Sequence, residues 1–155
     1  YSPENNYEID DVITFSDEKL GEGISRDFRA VQAVTKGQSP ETKPDAWEKV
    51  HSDDFVKGKA LFSSLQCVQC HAINRTGLGA KGPNLTLFGL RTSLAAGWMR
   101  NDEASLDKWL RNSNDVKFGN LMWNGEGIDD RHPLRQLEND DEKVSQLVSY
   151  LLDLK

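Results

Sequence analysis

Both cysteines of this 155-residue chain lie in one short stretch, Cys67-Val-Gln-Cys70-His71. Two thiols three positions apart on a helical turn can add to the two vinyl groups on one side of a porphyrin. The histidine that follows then directs its imidazole at the central iron. This Cys-x-x-Cys-His spacing is the signature of c-type haem attachment. It predicts one covalently bound haem c, attached through Cys67 and Cys70, with His71 as the proximal iron ligand.

Three other readings of the same residues stay open. A thioredoxin-like redox pair would follow a strand in a βαβ unit, whereas a helical pattern precedes Cys67. A structural zinc site would need four ligands, and the remaining histidines, His51 and His132, lack the paired spacing of zinc modules. A plain helical pair of cysteines leaves the adjacent histidine unexplained.

The second axial ligand of a haem decides its function. An open site binds gases or peroxide, whereas a second strong ligand closes the site and favours electron transfer. The chain has two methionines, Met99 and Met122. Met122 is the preferred candidate because it lies in a glycine-containing loop between two predicted helices. Met99, His51 and His132 are the alternatives.

Hydrophobic periodicity and capping residues predict four helices. The last has an apolar stripe at i, i+3, i+4, i+7 and i+8 that must dock on another element. A glycine-rich stretch, 72–101, shows little strand signal and is expected to wrap a cofactor. The predicted helices cover 25–36, the segment from Ser52 to just before Cys67, 103–112 and 139–154.

Charge and composition divide the chain. Residues 1–50 carry eleven acids and six bases, which is most of the net charge of −6. An acidic chain without a Lys/Arg cluster argues against nucleic acid binding, and no apolar run is long enough to insert into a membrane.

The polar segment 37–44 suggests an acidic extension or linker over 1–51, interpreted as a wrapping tail or tether, and a haem domain over 52–155. The chain begins at Tyr1, so any targeting segment or anchor is expected to have been removed or to lie outside this sequence.

From about residue 52 to the end, the sequence resembles the class I cytochromes c. The motifs that carry the resemblance are GKALF, CVQCH, GPNL at 82–85, Arg91, LDKWL at 106–110, KFGNLM at 117–122 and the closing LVSYLLDLK. The stretch from Leu90 to Met122 is similar to the cytochrome c domain of subunit II in caa-type haem-copper oxidases. The resemblance implies an all-α fold of three main helices around one haem c.

Roles for individual residues also follow from the resemblance. It implies that Met122 is the distal ligand and that the Pro83 carbonyl accepts the second ring N–H of His71. It further implies that Arg91, together with Trp98 or Trp109, reaches a haem propionate. Gly58 is expected to let the first and last helices cross closely near Tyr150.

Two positions depart from the family pattern. Phe118 and Trp123 stand where the family usually has prolines on either side of the ligand methionine. Losing two fixed φ angles should loosen this loop unless the aromatic rings pack down. Trp123 is interpreted as either a cap over the haem crevice or a contact for a partner.

The function expected from the sequence is single-electron transfer through a His71/Met122-ligated haem, with no catalytic residue in this domain. The partners implied are a respiratory oxidase, or its dicopper domain, and an upstream electron donor. Residues 1–50 contain no cysteine or histidine, so they cannot supply dicopper ligands. The expected location is the periplasm or the outer face of a bacterial membrane. A free-standing electron carrier and a gas-binding or peroxidatic haem protein are the alternatives.

Overall fold

The computed structural model describes residues 1–16, 25–77, 79, 81–125 and 127–155, with the backbone alone at Ser25 and Arg26. The described chain folds as two units, Tyr1–His51 and Ser52–Lys155. Each unit has its own cluster of buried apolar side chains. No helix in the described part has the length and apolar character needed to cross a membrane.

The first unit is built on a three-stranded antiparallel sheet. Its strands are β1 (Val12–Ser16), β2 (Ser25–Ala30) and β3 (Trp47–Lys49), in that spatial order. The helix predicted over 25–36 is therefore wrong. Its expected apolar residue Ile24 lies outside the described residues, and Phe28 pairs across the sheet with both Ile13 and Lys49.

The first unit has a small apolar core of its own. Tyr7 and Val34 form an antiparallel bridge, and the Tyr7 ring packs edge-on against Trp47 at a centroid distance of 5.4 Å. The Trp47 indole N–H donates to the Gln38 carbonyl at 3.2 Å, which satisfies the one polar group of this buried ring. The fully buried positions in this core include Ala30 and Ala46.

Five α-helices are described in the second unit. Ser52 caps the first and accepts the Phe55 N–H at 3.1 Å, as the sequence predicted. The last helix is capped by Asp140 rather than by Asn139, so it begins two residues later than predicted. The helices are α1 (Asp53–Ser64), α2 (Glu103–Arg111), α3 (Ser113–Val116), α4 (Leu121–Asn124) and α5 (Asp141–Leu152).

The crossing of α1 and α5 organises this unit. The apolar stripe of α5 is buried, with Val144 and Leu147 essentially inaccessible. Gly58 lies where α1 meets α5, and a Cβ added there would lie 2.0 Å from the Gln146 carbonyl oxygen and 2.8 Å from the Tyr150 Cβ. The two helix backbones are thus in direct contact at the only position of α1 without a side chain.

The prediction of an all-α fold is wrong for the chain as described. Besides the sheet of the first unit, the second unit contains a small antiparallel hairpin of β4 (Ser93–Leu94) and β5 (Met99–Arg100). The hairpin lies in the stretch where the sequence showed little strand signal. Its strands are two residues long, too short for period-2 alternation to be visible.

Candidate functional site

The Cys-x-x-Cys-His segment follows directly from the end of α1. Gln66 adopts a left-handed backbone with φ +64°, which ends the helix and redirects the chain into the 3-10 turn Cys67–Gln69. The backbone N–H groups of Cys70 and His71 both donate to the Cys67 carbonyl, at 3.2 and 2.9 Å. Both thiols and the imidazole therefore project from a single tight turn.

The His71 imidazole has a defined orientation and a defined tautomer. Its Nδ1 lies 2.8 Å from the Pro83 carbonyl oxygen. Because a carbonyl oxygen can only accept, Nδ1 carries the proton in this hydrogen bond. The lone pair of the neutral ring is then on Nε2, which is the atom left to bind a metal.

The loop after His71 returns to cover the imidazole. The Gly82 N–H donates to the Cys70 carbonyl at 2.9 Å, and the Leu85 N–H donates to the Ala72 carbonyl at 2.8 Å. A Cβ at Gly82 would lie 2.5 Å from Cε1 and 2.7 Å from Nδ1 of the His71 ring. Only glycine lets the backbone approach the imidazole this closely.

Burial shifts the pKa values of Cys67 and His71 on this turn. Desolvation raises the pKa of the Cys67 thiol to about 12, so it is a thiol rather than a thiolate at neutral pH. Desolvation also lowers the pKa of His71, and the positive charge of Arg91 lowers it further, against the opposing effect of the Pro83 hydrogen bond. A lowered pKa keeps the imidazole neutral, which is the form that binds iron.

Arg91 lines an open depression of about 500 Å³ beside this loop. Its Nη2 donates to the Asn84 carbonyl, and its guanidinium lies 5.6 Å from the centroid of the buried Phe88 ring. Asn84 also accepts the Thr86 N–H at 2.8 Å, which fixes the turn that follows Pro83. The depression is lined by Asn74, Arg75, Asn84, Thr86, Leu87 and Arg91.

The two methionines border the same buried cluster. Met122 lies in α4 and Met99 in β5, and both are partly buried against the core that Cys67 and Trp109 also contact. Trp98, by contrast, is 69% exposed between β4 and β5. The structure thus brings Cys67, Trp109 and both methionines to one core, without choosing between the methionines.

The two other histidines lie in different units. His132 Nδ1 accepts the Leu134 N–H at 3.2 Å and caps the 3-10 helix Pro133–Asn139. His51 lies in the first unit. Across the described ranges, no group of three or more His, Cys, Asp or Glu side chains could hold a metal ion. Cys67 and Cys70 are not joined in a disulfide.

The loop around Met122 is fixed by side-chain hydrogen bonds. Asn120 Oδ1 accepts the Ser113 hydroxyl at 2.8 Å and the Trp123 N–H at 3.2 Å, while its Nδ2 donates to the Lys117 carbonyl at 2.8 Å. Trp123 is only 4% exposed and belongs to the core, so its interpretation as a partner contact is wrong. Phe118 is 92% exposed, so only one of the two aromatic substitutions packs down.

Charge is unevenly distributed along the sequence of the second unit. Residues 55–101, which contain the Cys-x-x-Cys-His turn, hold six lysines and arginines and no aspartate or glutamate. All six of these side chains are exposed. The region around the turn is thus basic although the whole chain has a net charge of −6. The six residues are Lys57, Lys59, Arg75, Lys81, Arg91 and Arg100.

The residues present fit a c-type haem. Cys67 and Cys70 offer two thiols from one turn, and His71 offers an imidazole with its lone pair on Nε2. The close approach of Gly82 holds the imidazole from one side. These features define a haem-attachment site of the c type.

Comparison with known proteins agrees with this class. The cytochrome c family model matches residues 55–155. The chain is 32% identical to cytochrome c oxidase subunit 2 of Alkalihalophilus pseudofirmus over 64% of this chain and 25% of that protein. It is 33% identical to cytochrome c oxidase subunit 2 of Bacillus sp. PS3 over 75% of this chain and 33% of that protein. No solved structure matches the chain significantly.

The chain belongs to the cytochrome c family. Membership implies a haem c cofactor and electron transfer, and the two relatives support a cytochrome c domain like that of an oxidase subunit II. The chain spans a third or less of the length of these relatives.

Proposed function

We propose that this chain carries one haem c, attached through Cys67 and Cys70, with His71 and Met122 as the axial iron ligands. The observation that carries the proposal is the hydrogen bond between His71 Nδ1 and the Pro83 carbonyl. Such a bond fixes the imidazole plane and increases the basicity of the metal-binding nitrogen. A bound haem supplies an iron that takes up and releases one electron.

Met122 is favoured over Met99 as the second ligand because of its immediate neighbourhood. Met122 lies between Asn120, which caps α4, and the buried Trp123, so its backbone is held from both sides. The resemblance to class I cytochromes c implies the same residue. A ligand loop held in one geometry needs little rearrangement when the iron changes its charge, which favours electron transfer over ligand binding.

The test is the optical spectrum of the ferric and reduced protein with and without carbon monoxide, for the wild type and for Met122→Ala. The expected result is a methionine–iron charge-transfer band that Met122→Ala abolishes. The wild type should bind no carbon monoxide, and Met122→Ala should bind it readily. Met99→Ala is the matched control and should keep the band. Loss of the band in Met99→Ala alone would move the ligand to Met99, and ready binding of carbon monoxide by the wild type would favour a gas-binding or peroxidatic function.

We further propose that the electrons pass to a terminal oxidase, with this chain as part of its subunit II. Two relatives are named cytochrome c oxidase subunit 2. The match to the PS3 protein covers 75% of this chain. The second unit, Ser52–Lys155, makes up only about two thirds of this chain. The similarity therefore extends into the first unit. The acceptor would be the dicopper domain of the same subunit, on the outer face of a bacterial membrane. A free-standing carrier is the second candidate.

The basic segment predicts how small redox reagents will react. An anionic reagent should exchange electrons with the haem faster than a cationic reagent of equal driving force, although the chain as a whole is negative. Raising the ionic strength from about 0.01 to 1 M shortens the screening length from about 30 to 3 Å and should remove most of this preference. Stopped-flow rates with both reagents would measure it. A faster rate with the cationic reagent would mean that the net charge of the whole chain, rather than the basic segment, governs the encounter between reagent and protein.

The same salt titration separates the two candidates when it is done on electron transfer to the oxidase. A free carrier should lose second-order rate as salt screens its encounter. A covalently tethered domain is held near its acceptor at a high effective concentration, so its rate of electron transfer should stay nearly constant as salt is added. A steep loss of rate in the intact oxidase would contradict the subunit II proposal.

A further inference from the structure

An arginine outside the predicted site holds the residue next to Met122. Arg135 Nη2 donates to the Trp123 carbonyl at 3.0 Å. The same guanidinium lies over the indole face of Trp123, with Cζ 4.2 Å from the ring centroid. One side chain thus contacts both the backbone and the ring of Trp123.

Arg135 lies on a helix that is anchored in the core. It belongs to the 3-10 helix Pro133–Asn139, whose first turn is capped by His132. Leu134 and Leu137 of this helix are 5% and 0% exposed and anchor it in the main core. The position of the guanidinium is therefore set by the core rather than by the ligand loop.

The partly buried guanidinium of Arg135 is only partly satisfied by hydrogen bonds. Its Nε is buried and has no hydrogen-bond partner among the described residues. An unsatisfied buried donor is destabilising, and an apolar side chain of similar length would not leave one. The hydrogen bond and the ring contact that the guanidinium does make are both with Trp123.

We propose that Arg135 is a positioning residue that clamps Trp123 and thereby keeps Met122 on the haem iron. The proposal rests on the proposed function, in which Met122 is a ligand. Met122 and Trp123 are consecutive residues of α4, a helix of only four residues. Moving Met122 away from the iron displaces this short helix, and that movement breaks both contacts of Arg135 with Trp123. The clamp replaces the conformational restriction that a proline at position 123 would have given.

The clamp shifts an equilibrium between a closed loop, with Met122 on the iron, and an open loop. A hydrogen bond from a charged donor and a cation–π contact together favour the closed loop by roughly 10-fold or more. An external ligand that binds only the open form has its apparent affinity reduced by the open fraction. Removing the clamp should increase that affinity by the same factor.

The test uses imidazole as the external ligand and the ferric holoprotein of wild type and Arg135→Met. Methionine fills the space of the arginine stem and removes both the charge and the donors. The expected result is an apparent imidazole affinity about 10-fold higher in Arg135→Met, with unchanged or higher resistance to urea because the unsatisfied Nε is gone. Arg135→Lys restores the charge and one donor, and it should recover part of the wild-type behaviour.

Two variants control for other causes. Arg131→Gln also removes one cation close by in the chain, but its side chain is 92% exposed and pairs with Asp129, so imidazole affinity should stay at the wild-type value. Val144→Ala removes buried apolar volume from α5 and lowers global stability, but it too should leave imidazole affinity unchanged.

The outcomes separate the clamp from the function it rests on. A wild type that shows the methionine–iron band, combined with an Arg135→Met affinity equal to that of Arg131→Gln, overturns the clamp and leaves the proposed function standing. An equal increase in Val144→Ala also overturns the clamp, since general loosening would then explain the result. A wild type without the band overturns both.

Discussion

Gly82→Ala is expected to weaken the bond between His71 and the haem iron by about 10- to 100-fold, the usual effect of disturbing a hydrogen-bonded partner of a metal ligand. The added Cβ would lie 2.5 Å from the imidazole Cε1, so the ring must rotate or the loop must retreat. Either movement breaks the 2.8 Å hydrogen bond between His71 and the Pro83 carbonyl. The substitution thus disturbs the position of His71, although Gly82 itself is not a proposed iron ligand.

An acid titration of the ferric holoprotein measures this loss. Protons compete with iron for His71 Nε2. When the iron bond is weaker, His71 is therefore protonated, and lost as a ligand, at a higher pH. A 10- to 100-fold weaker bond should raise the midpoint of ligand loss by about one to two pH units. Gly97→Ala is the control because a Cβ there meets nothing within 4 Å, although its φ of +87° gives a modest strain. Equal midpoints in Gly82→Ala and wild type would mean that the loop does not hold the imidazole.

Gly58→Ala is expected to destabilise the second unit by about 3 kcal/mol, at the upper end of overpacking costs. The new Cβ would lie 2.0 Å from the backbone carbonyl oxygen of Gln146. A backbone atom cannot turn aside as a side chain can, so α1 and α5 must separate along the crossing that buries Val144 and Leu147. The helix propensity gained by replacing glycine, about 1 kcal/mol, offsets only part of this cost.

Urea unfolding followed by helix ellipticity measures the effect. Lys59→Ala, on the exposed neighbouring position of α1, is the control and should change the free energy of unfolding by less than about 0.5 kcal/mol. A Gly58→Ala protein as stable as wild type would show that the two helices can move apart freely. Wild-type haem spectra in the folded variant would place the effect on packing rather than on the site.

The local signals in the sequence predicted the three long helices of the second unit but missed the four-residue helices α3 and α4, the second of which contains Met122. Ser52 marks the start of α1 because an N-cap side chain bonds to backbone groups two or three residues away. The apolar stripe of α5 was visible for the same reason, since all of its members lie on one helix. Both kinds of signal are complete within a dozen residues of chain.

The same reasoning was wrong in the first unit, where the partners are distant in sequence. Phe28, Val31 and Val34 have a spacing that fits a helix, yet Phe28 lies on β2 and Val34 bridges to Tyr7. Pairing with β1 and β3 outweighs the weak local preference, because strand formation depends on neighbours that the local sequence does not contain. The all-α expectation was therefore wrong, both for the sheet of the first unit and for the β4–β5 hairpin of the second.

By itself, the sequence determined which chemistry is available to hold a haem: two thiols and an imidazole at fixed spacing, with their order along the chain. It could not determine how that chemistry is held. The approach of Gly82 to the His71 ring, the burial of Trp123 beneath Arg135 and the contact of Gly58 with Gln146 join residues 11, 12 and 88 positions apart. Such contacts form only when the core packs at close to crystalline density, so which backbone meets which side chain is decided by the tertiary structure.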